Sequence, residues 1–387
     1  FRMLGGLSLF IVGMQVMTAG LRAAAGPALR TVLARTAAGP WRGLMLGTAL
    51  GFLAHSGAAT TMTVGFVNAG LLPLSAALAP IFGANIGTAL SMQLLAFDIR
   101  HACWAAIAVG FLARACLRDA RLKQTGLALL GFGLIFLGMA TVGDALAPHR
   151  GTMAPWLARI RGDTWGARIA GIGLSALLTA LLTSSGAMIG LCFTLIRAGL
   201  LASFDDFFPI VAGAHIGTCV VALLASLPMN CEARRTAAGH LLFNLFNVAL
   251  ALAFYPLFRA AVAWSSPEPL RQAANLHLLM MVAAALPLLL ATGFLARILR
   301  KLVSPAAPLP EPSHLNPELL SRPERAIYAT ILEIRRMAKL CGRNMVINGE
   351  LMLRHRAGLR RALDANEAVI DEIRMAVGGY LDRLTGY

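Results

Sequence analysis

The chain has 387 residues, of which 58% are apolar and only 13% charged, against about a quarter charged in ordinary soluble domains. That balance excludes a soluble globular fold and predicts an all-α integral membrane protein. The formal charge of +16 does not predict nucleic-acid binding, because the basic residues sit at the ends of apolar runs, where cytoplasmic loop bias puts them, and not on one face.

The first apolar run, Met3 to Leu21, is long enough to cross a bilayer and is followed by Arg22, Arg30, Arg35 and Arg42. Gly26 to Arg42 is amphipathic and predicts an interfacial helix or connector ending at Trp41. Apolar sequence resumes at Gly43, is interrupted at His55-Ser56-Gly57 and continues from Thr60 to Leu72. A second pair, Pro73 to Phe82 and Ile86 to Phe97, is interrupted at Gly83-Ala84-Asn85. Each arm is shorter than the ~20 residues of a full crossing, which predicts short or re-entrant helices. Asp98 to His101 marks a return to water. Cys103 to Leu117 and Thr125 to Leu146 follow as spans, with Arg114, Arg118, Arg121 and Lys123 about their junction.

From there the order repeats. Ala147 to Arg168 reads as an aqueous or interfacial loop. Ile169 to Leu182 and Ala187 to Leu201 flank Thr183-Ser184-Ser185. Ser203-Phe204-Asp205-Asp206 reads as a polar turn that starts a helix. Phe207 to Ala212 and Thr218 to Leu227 flank Gly213-Ala214-His215, and Cys231 to Arg235 reads as a second exit to water. Leu241 to Phe258 and Leu276 to Leu295 close the membrane part as spans.

Composition then changes. Ser304 to Pro312 is a Pro-rich linker. Beyond it, Ile327, Ile331, Ile334, Ala338, Cys341 and Met345 form one apolar stripe, and Leu359, Leu363, Ile370, Ile373, Val377, Tyr380 and Leu384 a second. These predict two amphipathic helices meeting along a coiled-coil-like seam, a soluble helical hairpin or part of a bundle. The expected division is 1–122 and 123–302 for two membrane repeats with a closing span, 303–317 for the linker and 318–387 for the soluble part.

The duplication carries the functional reading. Laying His55-Ser56-Gly57-Ala58 on Thr183-Ser184-Ser185-Gly186 puts Ala69-Gly70-Leu71-Leu72 on Ala198-Gly199-Leu200-Leu201, and Gly83-Ala84-Asn85-Ile86-Gly87-Thr88 on Gly213-Ala214-His215-Ile216-Gly217-Thr218. Phe10-Ile11-Val12-Gly13-Met14 is echoed by Ile135-Phe136-Leu137-Gly138-Met139. Paired interruptions at corresponding places of two halves point to a transporter site, because broken helix ends aim N–H or C=O groups at a solute and its coupling ion.

His55, Ser56, Gly57, Thr60, Asn85 and Thr88 of the first copy, with Thr183, Ser184, Ser185, Gly186, His215 and Thr218 of the second, are therefore the candidate substrate and ion-binding residues. Hydroxyls at helix N-termini suit an oxyanion; hydroxyl oxygens and unwound carbonyls equally suit sodium. The competing structural reading is that Ser and Thr bond their own helix carbonyls and hold helices together. Asn85 and His215 read equally as polar caps. Arg197 and Asp144 are charges inside apolar runs, Arg197 reading better as a snorkelling side chain.

Cys103, Cys116, Cys192, Cys219, Cys231 and Cys341 show no metal or disulfide spacing, and no catalytic motif is visible, so an enzyme is not expected. Glu367 and Asp371, one turn apart, are a weak candidate metal pair.

The duplicated serine interruptions, the paired G-A-N-I-G-T and G-A-H-I-G-T, and Ala237-Ala-Gly-His-Leu-Leu-Phe-Asn244 together resemble the bacterial type II sodium/phosphate cotransporter family, over Leu4 to about Leu302. That resemblance implies two inverted repeats with re-entrant hairpins, and a sodium and phosphate site formed by Ser56, Thr60, Ser184 and Ser185 with Asn85, Thr88 and Thr218 in support. No covalent cofactor is implied. Where the family carries Q-S-S-S, this chain has His55 and Thr183 in place of Gln, and keeps Ser56 alone in one copy and Ser184-Ser185 in the other.

The soluble part resembles a PhoU-like domain, and Glu367 to Asp371 is similar to its E-x-x-x-D metal motif. The implied function is sodium-coupled transport of inorganic phosphate or a related oxyanion by alternating access. The implied location is a bacterial inner membrane, with the C-terminal helices cytoplasmic and available to a homodimer or phosphate-signalling partner. Two alternatives stay open: a non-transporting, membrane-anchored phosphate-signalling protein, and an anion exporter of the same fold.

Overall fold

Glycines on matched helix faces organise the membrane part. The computed structural model describes residues 1–25, 39–97, 102–149, 151–153, 155, 162–303, 313–353 and 357–386. The predicted interfacial helix before Arg42, the exit at Asp98 to His101, much of the loop from Ala147 to Arg168, and the Pro-rich linker fall largely or wholly outside them. Every regular element among the described residues is helical. Residues 1–305 and 306–387 form separate compact units.

In the first unit, α1 (Arg2–Ala25) is followed by α2 (Pro40–Asn68), α3 (Leu74–Leu95), α4 (Cys103–Cys116) and α5 (Ala120–Leu146). Then come α6 (Trp165–Leu182), α7 (Ser185–Arg197), α8 (Phe204–Gly217), α9 (Cys219–Ser226), α10 (Cys231–Ala253), α11 (Tyr255–Ser265), α12 (Pro269–Leu290) and α13 (Thr292–Leu302). By length and composition, eight helical segments among the described residues suffice to cross a membrane, so this is an all-α membrane protein.

The scaffold helices α1 and α5 run antiparallel. A Cβ added at Gly13 would lie 2.6 Å from Ile135 N, one at Gly20 2.5 Å from Ala128 N, and one at Gly138 would collide with Phe10 N. Glycine at these points lets the two backbones approach. The sequence echo equates Phe10 with Ile135 and Gly13 with Gly138, so Gly13 against Ile135 and Gly138 against Phe10 are one contact made twice with the partners exchanged.

The interruption at His55 is a fold-back. Before it, α2 lies alongside α3 in the same direction: a Cβ at Gly47 would collide with Pro80 O and one at Gly51 with Ala84 O, while one at Gly87 would collide with Thr48 O. After it, Ala59 clusters with Ala84 and Val67 with Ala77, so the second arm runs against α3. Each arm is therefore about 20 Å long at 1.5 Å per residue.

The second copy repeats this arrangement with α6 and α7. Serine 175 Oγ donates to Ile210 O at 2.7 Å, and Cβ atoms at Gly213 and Gly217 would collide with Ile172 O and Ala176 O, so α6 and α8 also run side by side in one direction.

Several expectations are corrected. Gly83-Ala84-Asn85 does not break a helix, since α3 is continuous from Leu74 to Leu95. Gly213-Ala214-His215 lies inside α8, and the only pause is at Thr218, whose φ of −64° and ψ of −19° are helical. The small residues there permit close backbone approach; they do not free backbone groups.

Cys231 to Arg235 is the first turn of α10, where Asn230 Oδ1 accepts the Ala233 N–H at 2.9 Å. That helix ends at Ala253, before Pro256 at the start of α11, and not at Phe258. The predicted start at Ser203 is present: the Asp206 carboxylate accepts both the Ala202 and Ser203 N–H groups at 2.9 Å. The Arg197 guanidinium donates to Leu95 O, the last carbonyl of α3, at 3.4 Å and to Phe97 O just beyond that helix at 2.8 Å.

In the second unit, α14 (Pro323–Leu353) pairs with α15 (Ala357–Thr385). Ile373, Val377 and Tyr380 of the predicted α15 stripe are buried. The predicted α14 stripe is one residue out of register: Ile327 is 49% and Met345 77% exposed, while Ala326, Thr330, Glu333, Leu340 and Asn344 are buried. Polar pairs accompany this face, Glu333 bridging to Arg336 at 2.8 Å and Asn366 donating to Asn344 Oδ1 at 2.9 Å.

Candidate functional site

Among the described residues, His55 and Thr183 are the only non-glycine residues with positive φ, and they occupy one position of the sequence repeat. His55 sits at φ 60°, ψ 157°, a region in which a Cβ is strained. Thr183, at φ 56°, ψ 16°, ends α6 in the left-handed conformation. Each begins a new helical arm. In the first copy the Ser56 N–H donates to Thr88 Oγ1 at 2.7 Å, and the Thr88 hydroxyl donates to Ala84 O at 3.0 Å. In the second, Ser184 Oγ accepts the Ala187 N–H at 3.2 Å and caps α7.

These two tips meet at one cavity of about 720 Å³. His55, Gly57 and Thr61 line it from the first, and Thr183, Ser184 and Ser185 from the second. Thr218 lines it at the α8–α9 junction. The copies touch: a Cβ at Gly186 would lie 3.5 Å from His55 Nδ1, and one at Gly57 3.8 Å from Thr218 Oγ1. Both arms beginning at the tips present their N-terminal ends, so unpaired N–H groups and the positive ends of helix dipoles converge on the chamber. That is a chemistry for anions.

The remaining candidates lie behind the wall. Ser56 and Thr88 are buried and bonded to each other, and Asn85 Nδ2 donates to Ile81 O at 2.9 Å within its own helix. Thr60 is buried with no partner for its hydroxyl among the described residues. His215 is buried with its ring 4.8 Å from that of His277. His215 Nε2, His277 Nδ1, both ring nitrogens of His240, Asn244 Oδ1 and the Asn247 amide likewise have no partner there. Glu367 and Asp371 are exposed on α15 in the other unit, Asp371 beside Arg374 at 3.4 Å. No cluster of three metal-ligating side chains occurs among the described residues.

The sequence predicts α1 as a span but not its part in the site. Gln15, Thr18 and Arg22 all line the cavity, and Arg22 Nη2 donates to Ala54 O, the carbonyl just before the first tip, at 3.2 Å. Arg22 was read as a flanking charge. The available signal was the spacing: three polar residues at i, i+3 and i+7 share one face of an otherwise apolar helix. Among the described residues Arg22 is also the one charged side chain lining the cavity, and no carboxylate there does.

A helical membrane bundle in which two interrupted segments, related by sequence, close on a single solute-sized chamber has the build of a solute carrier. The chain belongs to the Na+/Pi-cotransporter family, whose profile matches residues 9–144 and 150–298. It is 28% identical over 297 residues to the uncharacterized protein YqeW of Bacillus subtilis, a match covering 76% of this chain and 95% of that one. It is also 28% identical over 398 residues to a protein of Escherichia coli K12 named "Putative inorganic phosphate export protein YjbB", covering 99% of this chain and 70% of that one. Salmonella typhimurium has a protein of the same name, 28% identical over 399 residues. No solved structure matches.

Proposed function

We propose that this chain carries inorganic phosphate, or a related small oxyanion, across a bacterial inner membrane by alternating access coupled to sodium. The observation that carries this reading is the convergence of two repeat-related helix N-termini on one cavity whose described lining has an arginine and no carboxylate. His55, Gly57, Thr183, Ser184, Ser185 and Thr218 contact the solute. Ser56, Thr88 and Asn85 hold the first tip from behind, and Gly186 and His215 do so in the second copy. Sodium takes hydroxyl and unwound carbonyl oxygens near Thr60 and the tips, and offsets the negative charge of the anion. Family membership supports phosphate as cargo and sodium as its companion. The exchange-related contact of α1 with α5 supports an inverted arrangement of the two repeats. The C-terminal unit lies in the cytoplasm and reports or tunes transport. Metal at Glu367 and Asp371 would have to displace Arg374 from Asp371.

The test is flux of labelled phosphate in proteoliposomes holding the full chain. Sodium-dependent flux is expected. Phosphate flux that ignores sodium removes the coupling, and no flux of phosphate, arsenate or sulfate removes the carrier reading. The name borne by the E. coli relative favours a second reading in which net movement is outward; flux measured from each side under a fixed sodium gradient separates the two.

A further inference from the structure

We propose that the face of α1 bearing Gln15, Thr18 and Arg22 is the charge-recognising wall of the cavity, with the Arg22 guanidinium as the group that reads the charge of a tetrahedral oxyanion. This rests on the carrier reading above and adds to it the residues that read the anion's charge.

Three observations carry it. The first is placement: all three side chains line the chamber into which both tips open, in a helix whose other cavity-facing residues, Ile11, Met14 and Ala19, are apolar. The second is unspent capacity. A guanidinium has five N–H donors in a planar fork suited to two oxyanion oxygens. The bond from Nη2 to Ala54 O uses one, and no carboxylate in the described lining competes for the rest. Gln15 and Thr18 add neutral donors one and two turns away on the same face.

The third is asymmetry. The echo that equates Phe10–Met14 with Ile135–Met139 sets Gln15, Thr18 and Arg22 against Ala140, Gly143 and Ala147. α5 packs in the same seam and keeps the matching glycine, Gly138, but has none of the polar face. The seam between the two scaffold helices therefore does not need these side chains. They are an addition to one side of a duplicated framework, and they put the formal positive charge of the described lining on α1 alone.

The competing account is structural: Arg22 caps the carbonyl freed where α2 folds back. Glutamine at position 22 retains an N–H donor for that carbonyl and loses the charge, whereas lysine retains the charge and loses the fork. The experiment is labelled-phosphate binding to the purified full chain at pH 8, with sulfate and perchlorate as tetrahedral competitors of charge two and one, alongside thermal melting. Arg22→Gln is expected to weaken phosphate binding about ten- to a hundredfold, the range of one or two lost charge-assisted hydrogen bonds, and to abolish the preference for sulfate over perchlorate. Arg22→Lys is expected to lose less than about tenfold and to keep that preference.

Phosphate binding by Arg22→Gln within about twofold of the unmodified chain, well under the tenfold that one such bond confers, overturns the proposal and leaves the carrier reading standing. So does an equal loss in both variants accompanied by equally lowered melting temperatures, which marks a structural role. If the unmodified chain binds none of the three anions, the carrier reading fails and the wall with it.

Discussion

A histidine at φ 60° and ψ 157° occupies backbone that glycine adopts at no steric cost, and such strain costs about 1–3 kcal/mol. His55→Gly is therefore expected to stabilise the fold by about 1 kcal/mol, raising the melting temperature, while lowering phosphate uptake because the imidazole beside Gly186 is lost. A variant that melts lower would show that the histidine is needed for the fold-back itself. Ser184 has two tasks, capping α7 and facing the cavity. Ser184→Ala is expected to lose about 1 kcal/mol of stability together with uptake, and Ser185→Ala, which breaks no cap, uptake with little change in melting. Equal uptake in both variants and the unmodified chain would remove the serines from the site. The residues that the chain's own sequence made readable here were those that break a pattern twice. Arg22 breaks no repeat, and an arginine after an apolar run looks like any flanking charge until the tertiary structure turns it toward Ala54.

At the scale of elements, the glycines of α2 and α3 hold two backbones together. Alanine at Gly47 or Gly87 would press on Pro80 O or Thr48 O, and overpacking of this kind costs about 1–3 kcal/mol or more; both are expected to lower the melting temperature and the yield of folded protein. Gly65, with nothing within 4 Å of an added Cβ, is the control, and Gly65→Ala is expected to be neutral or slightly stabilising by helix propensity. The same contacts explain what was misread. Glycine next to Asn or His in apolar sequence signals either freed backbone or close approach, and only the neighbouring helix, here α2 against α3 and α6 against α8, decides between them. His55 and Thr183 were legible as breaks because the residues around them are polar as well as small. The start of α10 was not, because Glu232, Arg234 and Arg235 in a first turn look like a loop until Asn230 is seen to cap it. In α14 apolar residues occupy two adjacent stripes, and the buried Glu333 and Asn344 mark a seam that a search for apolar periodicity passes over.

At the scale of the molecule, alternating access requires the tips to move against the helices they now touch. A Cβ at Gly57 would lie 3.8 Å from Thr218 Oγ1, so cysteines at Gly57 and Thr218, in a chain otherwise free of cysteine, are expected to form a disulfide that stops whatever phosphate flux the same double variant retains when reduced. Flux unchanged by the cross-link would mean that this contact persists throughout the cycle. The two-copy architecture was legible from sequence because colinear motifs survive divergence, and the family resemblance already implied one site shared by both copies; that α1 lines the same chamber was not, since it depends on packing between segments far apart in the chain.

The seam between α1 and α5 has a consequence for descent. Because Gly13 meets Ile135 as Gly138 meets Phe10, the surface is complementary to itself, as a framework made from two copies of one unit requires. Carried in one chain, the two copies are free to differ away from that seam, and a lone arginine on one helix is the kind of change that two identical subunits cannot make.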